Sequence, residues 1–537
     1  MLRRAWKPLV GATVVVGVPT YAYFRYTQRR QETFDLSVRE RGPDGKPVRV
    51  TRSFPLLSKA EVEARLTEHA ESVSTRRPSG IVWKQSTAFL ASNSPIEDAN
   101  ASGLVEKEAS PTGDDLLFFA VMDGHGGYHT SRLLSKTLIP SVTLELDTLK
   151  NAPSVLVPKG GFLHSLKSLF WPTAAVPPQG SFDADPTYVS LTIQTAFANL
   201  DSEIMNAPLR ILSQALAQPG VDKTAVPDLS QHPMALAAMF PALSGSCALM
   251  AMFDTAHRNL YIACTGDSRA VAGVWEETAD GKGVWRVDVL SEDQTGRNPN
   301  ELRRMQSEHP PEEANAIISR GRIFGGLEVV RAFGDARYKW SKDIQALLYK
   351  VFMEGNKESM RTPSPLLRTP PYVTPRPVIT HRKLYGLPLS SPDSENPNPR
   401  STLRFVVLAT DGLWDELTSE EVVALVGGHL AGLKGIIPKN TLPTLVPTLE
   451  GEGKTLDGKA ARDRSDEKGS WAFVDENVST HLIRNAFGGG DEEQVRKLLS
   501  IPANLSRSYR DDVTCTVVWW EDGREEEAKT TTFTKSS

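Results

Sequence analysis

"FFAVMDGHGG" occupies residues 118–127, and in it an apolar run ends at Asp123, after which His125 stands among three glycines. The run is short and continuous, which is typical of a strand that is buried on both faces. Such a strand carries the Asp123 carboxylate to its tip. The flanking glycines, Gly124 among them, allow other groups to approach the backbone closely and argue against a packing role for His125. The stretch therefore predicts a buried strand that ends in a functional site.

The same pattern, an apolar run that ends on an aspartate, recurs twice further along the chain. "LYIACTGDS" leads to Asp267, and "RFVVLATDG" leads to Asp411. Two more pairs of acids stand beside predicted strand ends: Glu97 and Asp98 in "SNSPIEDAN", and Asp511 and Asp512 in "YRDDVT". A single Asp-Gly is usually a turn, but the recurrence predicts that strand tips bring these acids together.

Several carboxylates in one place repel one another unless a cation lies between them. Oxygen ligands without cysteine suit Mg²⁺ or Mn²⁺ rather than zinc. The three cysteines lie scattered in apolar stretches and are expected to be buried small side chains: Cys247, Cys264 and Cys515. Two such ions can activate a water and direct it at phosphorus. The carbonyl of Gly124 offers a further ligand, and His125 is placed to protonate the leaving oxygen.

The chain has 537 residues and a net charge of −4, so no overall basic field indicates nucleic-acid binding. Its first 30 residues, in contrast, contain six basic residues and no acidic one. A basic, acid-poor N-terminus is typical of a mitochondrial targeting segment. Within it, residues 8–24 are uncharged and mostly apolar, which is the short limit of a membrane span. Cleavage of this segment, its retention as an inner-membrane anchor, and an endoplasmic-reticulum anchor remain open alternatives.

Predicted strands and helices are mixed without a strict βαβ alternation, which favours an α+β layered fold. Residues 31–79 are polar and charged, and they predict a linker with one short helix, "SKAEVEARLTEHAE". Helical periodicity predicts further helices in "DPTYVSLTIQTAFANLDSEIM" and "TSEEVVALV". The expected organisation is a domain over residues 80–525, with insertions near 150–182, 341–368 and 430–470, and a tail at 526–537.

Seven motifs follow one another from about Ser92 to Trp520: "PIEDA", "VMDGHGG", "SGSCAL", "ACTGDSRAV", "VRAFGD", "LATDGLWD" and "RDDVT". The series resembles the metal-dependent protein serine/threonine phosphatases of the type 2C family. The resemblance implies an αββα sandwich, in which two antiparallel sheets are flanked by helices and a binuclear metal site lies at one end. It also implies Mg²⁺ or Mn²⁺ as cofactor, with two ions and a third, weaker one, and hydrolysis of phosphoserine or phosphothreonine on proteins by direct attack of water.

The resemblance also assigns roles to residues through their motif positions. The core metal carboxylates are expected at Glu97, Asp123, Asp411 and Asp511, with the carbonyl of Gly124 as a further ligand. Asp267 is expected to hold the third ion together with Asp411. Asp98 is placed at the metal site, mainly to orient its neighbours. The remaining motif residues are expected to be mainly structural or to bind no metal: Arg331, Gly334, Asp335 and Asp512.

One position departs from the family pattern. Family members usually carry an arginine four residues before the glutamate, where it binds the substrate phosphate, and this chain has Asn93 there. Asparagine offers a neutral contact instead of a charged, bidentate one, so phosphate binding is expected to depend more on the metals. The departure and "LSEDQTGRNPNELRRMQSEHP" resemble the mitochondrial pyruvate dehydrogenase phosphatase branch. The resemblance implies a mitochondrial phosphoprotein substrate, with pyruvate dehydrogenase E1 as the candidate.

Three alternatives stand beside this interpretation. The first is a pseudophosphatase scaffold, against which the complete set of acids and His125 argue. The second is a type 2C phosphatase that acts on another mitochondrial substrate. The third is a hydrolase of another phosphoester, such as a nucleic acid, which the lack of an aromatic and basic stripe disfavours.

Overall fold

The computed structural model describes residues 32–523, apart from 43–44, 107–114, 151–183, 221, 223–224, 281, 386, 388–399 and 454–468. Three predictions fall outside these residues: the targeting segment at 1–30 with its anchor at 8–24, almost all of the insertion at 150–182, and the tail at 526–537. Within the described part of the chain, no helix combines the length and the apolar composition that crossing a bilayer requires.

The strands are numbered in chain order. They are β1 Thr33–Arg41, β2 Pro47–Pro55, β3 Glu71–Arg76, β4 Ile81–Leu90, β5 Ala99–Glu106, β6 Asp115–Met122, β7 Gly124–His125, β8 Gly245–Ser246, β9 Ala248–Asp254, β10 Asn259–Thr265, β11 Arg269–Glu277, β12 Gly283–Val289, β13 Ile318–Ser319, β14 Arg322–Ile323, β15 Phe333–Gly334, β16 Val378–Lys383, β17 Ser401–Ala409, β18 Gly435–Pro438, β19 Thr448–Glu450, β20 Ser470–Phe473 and β21 Val513–Asp522.

The helices are numbered in the same way. They are α1 Lys59–Thr67, α2 His129–Lys150, α3 Pro186–Leu216, α4 Ala235–Leu243, α5 Pro299–Glu308, α6 Pro311–Ala314, α7 Ala336–Lys339, α8 Lys342–Leu348, α9 Asp411–Trp414, α10 Ser419–Leu430, α11 Leu442–Leu445, α12 Val478–Ala486, α13 Glu492–Ser500 and α14 Ala503–Ser506. A π-helical turn at Tyr349–Met353 and a 3₁₀ turn at Glu354–Asn356 follow α8 directly.

Two large sheets form the centre of the molecule. The first has seven strands in the order β19–β12–β11–β17–β21–β4–β3, and the second has five strands in the order β16–β10–β9–β6–β5. Neighbouring strands run antiparallel, except that β12 and β19 are parallel at one edge. The longest pairing, between β21 and β4, joins residues 513–522 to residues 81–90. This pairing places β21, at the C-terminal end of the domain, beside β4 near its N-terminal end.

Successive residues of the central strands point into different apolar layers. In β17, Phe405 and Val407 pack among the helices that cover the seven-stranded sheet, whereas Val406 and Leu408 pack between the two sheets. Because both faces of these strands are covered, their sequences are continuous apolar runs rather than alternating ones. The layers from outside to outside are helices, sheet, sheet and helices. The predicted α+β fold, an αββα sandwich of two antiparallel sheets, is confirmed.

Two of the helices in the outer layers, α3 and α10, are ones that the sequence predicted. Helices α2, α3 and α4 cover the five-stranded sheet, and α10, α12 and α13 cover the seven-stranded one. Helix α3 begins after Asp185, whose side chain accepts a hydrogen bond from the N–H of Thr187. Helix α10 begins after Thr418, which forms a capping box with Glu421. The predicted helices "DPTYVSLTIQTAFANLDSEIM" and "TSEEVVALV" are therefore confirmed.

The prediction of a linker over residues 31–79 is corrected by the structure. Strands β1 and β2 form an antiparallel hairpin, and β3 is the edge strand of the seven-stranded sheet, paired with β4. The short helix was predicted correctly and is α1, but its Val62 and Leu66 are buried in the core that covers this sheet. Most side chains of the hairpin are exposed, which is consistent with its polar composition. Phe34 and Val38 are buried on one side of it.

Two regions expected as insertions contain defined elements. Residues 341–368 begin with α8, and the turn that follows buries Val351 and Phe352 in the core of the five-stranded sheet. Residues 430–470 contain β18, α11 and β19 before the described chain is interrupted at 454. Both regions therefore contribute to the domain they were expected to interrupt.

Candidate metal centre

Strand ends from both sheets meet at one end of the sandwich. In the five-stranded sheet, β6 leads into Asp123 and β10 leads towards Asp267. In the seven-stranded sheet, β17 leads through Thr410 to Asp411, the first residue of α9. One carboxylate oxygen from each of the three aspartates lies within 4.8 Å of the other two. The recurring sequence pattern thus brings together three of the predicted metal ligands.

The three-aspartate group of Asp123, Asp267 and Asp411 is partly exposed, but protein surrounds most of it. Burial raises the pKa of Asp123 well above its usual value, and the charges of Asp411, Asp98 and Asp267 raise it further. Burial also raises the pKa of Asp267 to about 6. Carboxylates this close destabilise one another unless a cation lies between them. A set of oxygen donors that is open to solvent on one side therefore fits Mg²⁺ or Mn²⁺.

Two glycines that follow site aspartates, Gly124 and Gly412, allow other loops to pack against the group. A Cβ atom at Gly124 would overlap the carbonyl oxygen of Glu97, and one at Gly412 would overlap the carbonyl oxygen of Asp512. Only glycine has no atom at that position. The glycines therefore bring the segments around residues 97 and 512 into direct contact with the group.

His125 is paired with an aspartate from a distant part of the chain. Its strand β7 pairs with β8, which pairs in turn with β15, and Asp335 follows β15 directly. Nε2 of His125 lies 2.7 Å from Oδ2 of Asp335. Burial lowers the pKa of His125, but the charge and hydrogen bond of Asp335 outweigh it, so the pKa is raised. The pair favours an imidazole that carries a proton to donate.

A further glycine makes room for this pair. A Cβ atom at Gly245 would overlap Nε2 of His125 and lie too close to the carboxylate of Asp335. The glycine of the motif "SGSCAL" therefore contributes to the site because it has no side chain. Asp335, which was expected to be mainly structural, also contacts the predicted general acid through its carboxylate.

Asp512 is buried and holds the loop of residues 92–97. Its carboxylate accepts hydrogen bonds from the backbone N–H groups of Ser92 (2.5 Å), Asn93 (2.8 Å) and Glu97 (2.9 Å). The side-chain amide of Asn93 also donates to it, at 2.9 Å. Asp512 thus orients the loop through hydrogen bonds, and this role does not require it to bind a metal. The side-chain amide of Asn93, which is expected to contact the substrate phosphate, is bonded to Oδ2 of Asp512 in this structure.

Glu97 and Asp98, the acids of this loop, lie outside the three-aspartate group. Asp98 is buried, and it accepts a hydrogen bond of 2.9 Å from Oγ1 of Thr410, next to Asp411. This contact suits the orienting role expected of it. The carboxylate of Glu97 accepts a hydrogen bond from the N–H of Gly127, and burial raises its pKa. Glu97 therefore contacts the glycine-rich loop that carries His125.

Asp511 lies at the edge of the group and has a basic partner. Its charge contributes to the raised pKa of Asp123. Burial raises the pKa of Asp511, and Arg507 opposes this through an ion pair of 2.5 Å. Sequence reasoning missed Arg507, although its place four residues before a predicted ligand was a signal that could have found it.

Arg331 and Gly334 have the structural roles expected of them. The guanidinium of Arg331 is buried and makes a forked ion pair with Glu301, with its closest contact at 2.7 Å. The N–H of Gly334 donates to Asp201 at 2.8 Å. Both contacts fix the segment that presents Asp335 to His125.

A family model described as protein phosphatase 2C matches residues 198–436. This match, the layered sheets and the relatives given next show that the chain belongs to the protein phosphatase 2C family. It is a metal-dependent protein serine/threonine phosphatase. The resemblance inferred from the seven motifs is confirmed, including its closeness to the pyruvate dehydrogenase phosphatase branch.

Three relatives are similar to this chain over most of its length. The chain is 33% identical, over 88% of its length and 74% of the relative's, to pyruvate dehydrogenase (acetyl-transferring) phosphatase 1, mitochondrial, of Saccharomyces cerevisiae. It is 32% identical to a protein phosphatase 2C homologue of Schizosaccharomyces pombe, over 86% of this chain and 85% of the relative. Its identity to pyruvate dehydrogenase (acetyl-transferring) phosphatase 2, mitochondrial, of Homo sapiens is 31%, over 83% and 79% of the two chains.

Proposed function

We propose that this phosphatase removes phosphate from serine or threonine of the pyruvate dehydrogenase complex, on its E1 component, inside mitochondria. The observation that carries the chemistry is the close approach of Asp123, Asp267 and Asp411 at the end of the sandwich. The proposed substrate is the one that the names of the relatives from Saccharomyces cerevisiae and Homo sapiens give for those proteins. The basic, acid-poor N-terminus supports the mitochondrial location.

The three-aspartate group would hold the divalent ions, together with the carbonyl of Gly124. Glu97 and Asp511 stand beside the group as the further predicted ligands. When bound, Mg²⁺ or Mn²⁺ supplies an activated water and neutralises charge on the phosphoryl group. We propose two ions with a third, weaker one at Asp267.

The protein's own contribution is to deliver a proton to the oxygen of the departing serine or threonine. We assign His125 as the donor, and the charge and hydrogen bond of Asp335 raise its pKa, which favours the protonated imidazole. Gly245 allows the imidazole and the carboxylate to meet at 2.7 Å. As a water oxygen forms its bond to phosphorus, the bond between phosphorus and the side-chain oxygen breaks and that oxygen takes the proton from His125, which leaves inorganic phosphate and a neutral hydroxyl on the substrate.

The substrate is tested with phosphorylated E1 and with an unrelated phosphoserine protein, each incubated with the purified enzyme and Mn²⁺. We expect faster phosphate release from E1 and no release after EDTA is added. Asp123→Asn serves as the inactive control, with a loss of about 10³-fold because a ligand charge is removed. Equal rates on the two proteins would contradict the proposed substrate and favour another mitochondrial phosphoprotein.

The location is tested separately in intact cells. Fractionation should recover the enzyme with mitochondria, and deletion of its gene should increase phosphorylation of E1. Recovery in the endoplasmic-reticulum fraction would contradict the location. Phosphorylation of E1 that stays unchanged after deletion would contradict the substrate while leaving the phosphatase chemistry intact.

A further inference from the structure

The substrate phosphate lacks the arginine that the family usually provides, and the structure shows why Asn93 does not replace it. The side-chain amide of Asn93 is 2.9 Å from Oδ2 of Asp512, and its backbone N–H bonds the same carboxylate. A phosphoryl group is best bound by a charged, forked donor. Another basic side chain beside the metal site would add such a donor to the binding that the metals supply.

Arg507 lies where such a side chain is required. It directly follows α14, and its guanidinium pairs with Asp511 at 2.5 Å, while 57% of its side chain is exposed. Its charge also interacts with the charges of Asp411 and Asp123 and of Glu97. The guanidinium therefore lies near predicted ligands from four separate segments of the chain.

The backbone around Arg507 is held on both sides. The hydroxyl of Ser506 donates to the carbonyl of Ser92 at 2.5 Å. The hydroxyl of Ser92 donates in return to the carbonyl of Arg510 at 2.6 Å. On the other side, Tyr509 donates to the carbonyl of Ser37 in the β1–β2 hairpin at 2.7 Å. These bonds fix the start of the Arg507 side chain, while its exposed end can turn between partners.

Three other arginines near this end of the sandwich have partners of their own, and Arg510, whose Nε and Nη1 lack a hydrogen-bond partner among the described residues, is buried. Arg269 makes a forked pair with Asp293, at 2.5 Å and 3.1 Å. Arg331 is buried against Glu301. Arg132 lies over the ring of Tyr128, with its guanidinium carbon 4.0 Å from the ring centre. Arg507 differs from these because its partner is itself a predicted metal ligand.

We propose that Arg507 binds the phosphoryl group of the substrate and so takes the role of the missing arginine at position 93. The inference rests on the proposed metal site, since it places the phosphoryl group over the three-aspartate group. The guanidinium then exchanges one anionic partner, Asp511, for another, the phosphoryl oxygens. Two of its N–H groups can bind two of these oxygens at once, which a lysine ammonium does less well.

The test compares Arg507→Ala, Arg507→Lys and the wild type in saturating Mn²⁺. Arg210→Ala is the matched control, because Arg210 is also exposed and ion-paired, with Glu203 at 2.8 Å, on α3 away from the site. Calorimetry measures the binding of inorganic phosphate, and kinetics with a phosphoserine peptide give KM and kcat. A third titration measures the binding of Mn²⁺ itself.

We expect Arg507→Ala to weaken phosphate binding and raise KM by about tenfold or more, which is typical for one charged hydrogen-bonding partner. Arg507→Lys should recover part of the loss, and Arg210→Ala should match the wild type. Phosphate binding within twofold of the wild type in Arg507→Ala would overturn the inference. Weaker Mn²⁺ binding with unchanged phosphate binding at saturating metal would also overturn it, because Arg507 would then only support Asp511.

The inference and the proposed function fail in different ways. A wild-type enzyme that shows no Mn²⁺-dependent turnover of the peptide overturns the proposed function, and the role of Arg507 falls with it. A wild-type enzyme that turns over normally, beside an Arg507→Ala variant with unchanged phosphate binding, overturns the role of Arg507 alone.

Discussion

His125 and Asp335 are separated by 210 positions in the chain, yet their side chains meet at 2.7 Å. The contact depends on three two-residue strands, β7, β8 and β15, that lie side by side. Asp335 itself has a positive φ of 56°, which few residues other than glycine adopt readily. The backbone therefore accepts an unfavourable conformation at the residue that orients the proton donor.

We predict that His125 and Asp335 act as one unit in catalysis. His125→Ala should lower kcat by about 10²-fold, which is typical for the loss of a general acid. Asp335→Asn should lower kcat less, since the imidazole stays in place with weaker support. The double variant should be no slower than His125→Ala, because Asp335 acts through His125. Turnover of a phosphoserine peptide measures all three, and multiplicative losses in the double variant would contradict the pairing.

The elements that could be predicted from sequence are those whose signal is local. The strands β6, β10 and β17 are continuous apolar runs, because helices cover one face and the other sheet covers the second. Each run leads to its aspartate, so the three-aspartate group can be inferred from the order of residues alone. The type 2C resemblance then added the αββα arrangement and the third, weaker ion.

Some of the missed features have only a weak local signal, and one depends on a contact between distant segments. The β1–β2 hairpin is mostly polar, although the alternation of Phe34, Leu36 and Val38 was a usable strand signal. The pairing of Asp335 with His125 has no counterpart in local sequence. The ion pair between Arg507 and Asp511 was also missed, since one exposed arginine in a polar segment is common.

Every residue of helix α12 is buried, His481 among them, and we predict that this burial makes the stability of the fold depend on pH. Burial lowers the pKa of His481 to about 3, whereas an unfolded histidine has a value near 6.5. As pH falls below about 6.5, the unfolded chain binds a proton that the folded chain does not. The free energy of unfolding should therefore fall by about 2 kcal/mol between pH 7 and pH 5 from this residue alone.

Unfolding by urea at the two pH values measures this contribution. His481→Gln should be less stable than the wild type at pH 7 but should lose about 2 kcal/mol less on going to pH 5. His232→Gln is the control, since His232 is exposed, and it should follow the wild type. An equal loss in His481→Gln and the wild type would show that His481 does not stay neutral in the fold.

At the scale of the whole molecule, the fold begins well before residue 80. Strand β3 completes the seven-stranded sheet, and Val62 and Leu66 of α1 are buried in its core. Arg484 of α12 pairs with Glu63 of α1 at 2.6 Å. The N-terminal region therefore belongs to the domain, and its polar composition reflects its exposed outer surface.

We predict that a chain beginning at residue 80 is much less stable than one beginning at residue 57. Loss of two buried apolar side chains costs about 2 kcal/mol each, and the loss of β3 exposes the edge of β4 to other chains. Thermal unfolding followed by circular dichroism should show a clear decrease in Tm, or aggregation, for the shorter chain. Similar Tm values for the two chains would contradict the place assigned to β3 and α1.

The central claim is that Asp123, Asp267 and Asp411 together hold the divalent ions on which phosphate release depends. The most direct measurement is a Mn²⁺ titration of the wild type and of Asp411→Asn, in which bound metal and phosphate release from a phosphoserine peptide are followed together. We predict that turnover follows metal occupancy in the wild type and that Asp411→Asn loses both while keeping its fold. Full turnover in EDTA, or wild-type metal binding in Asp411→Asn, would contradict the claim.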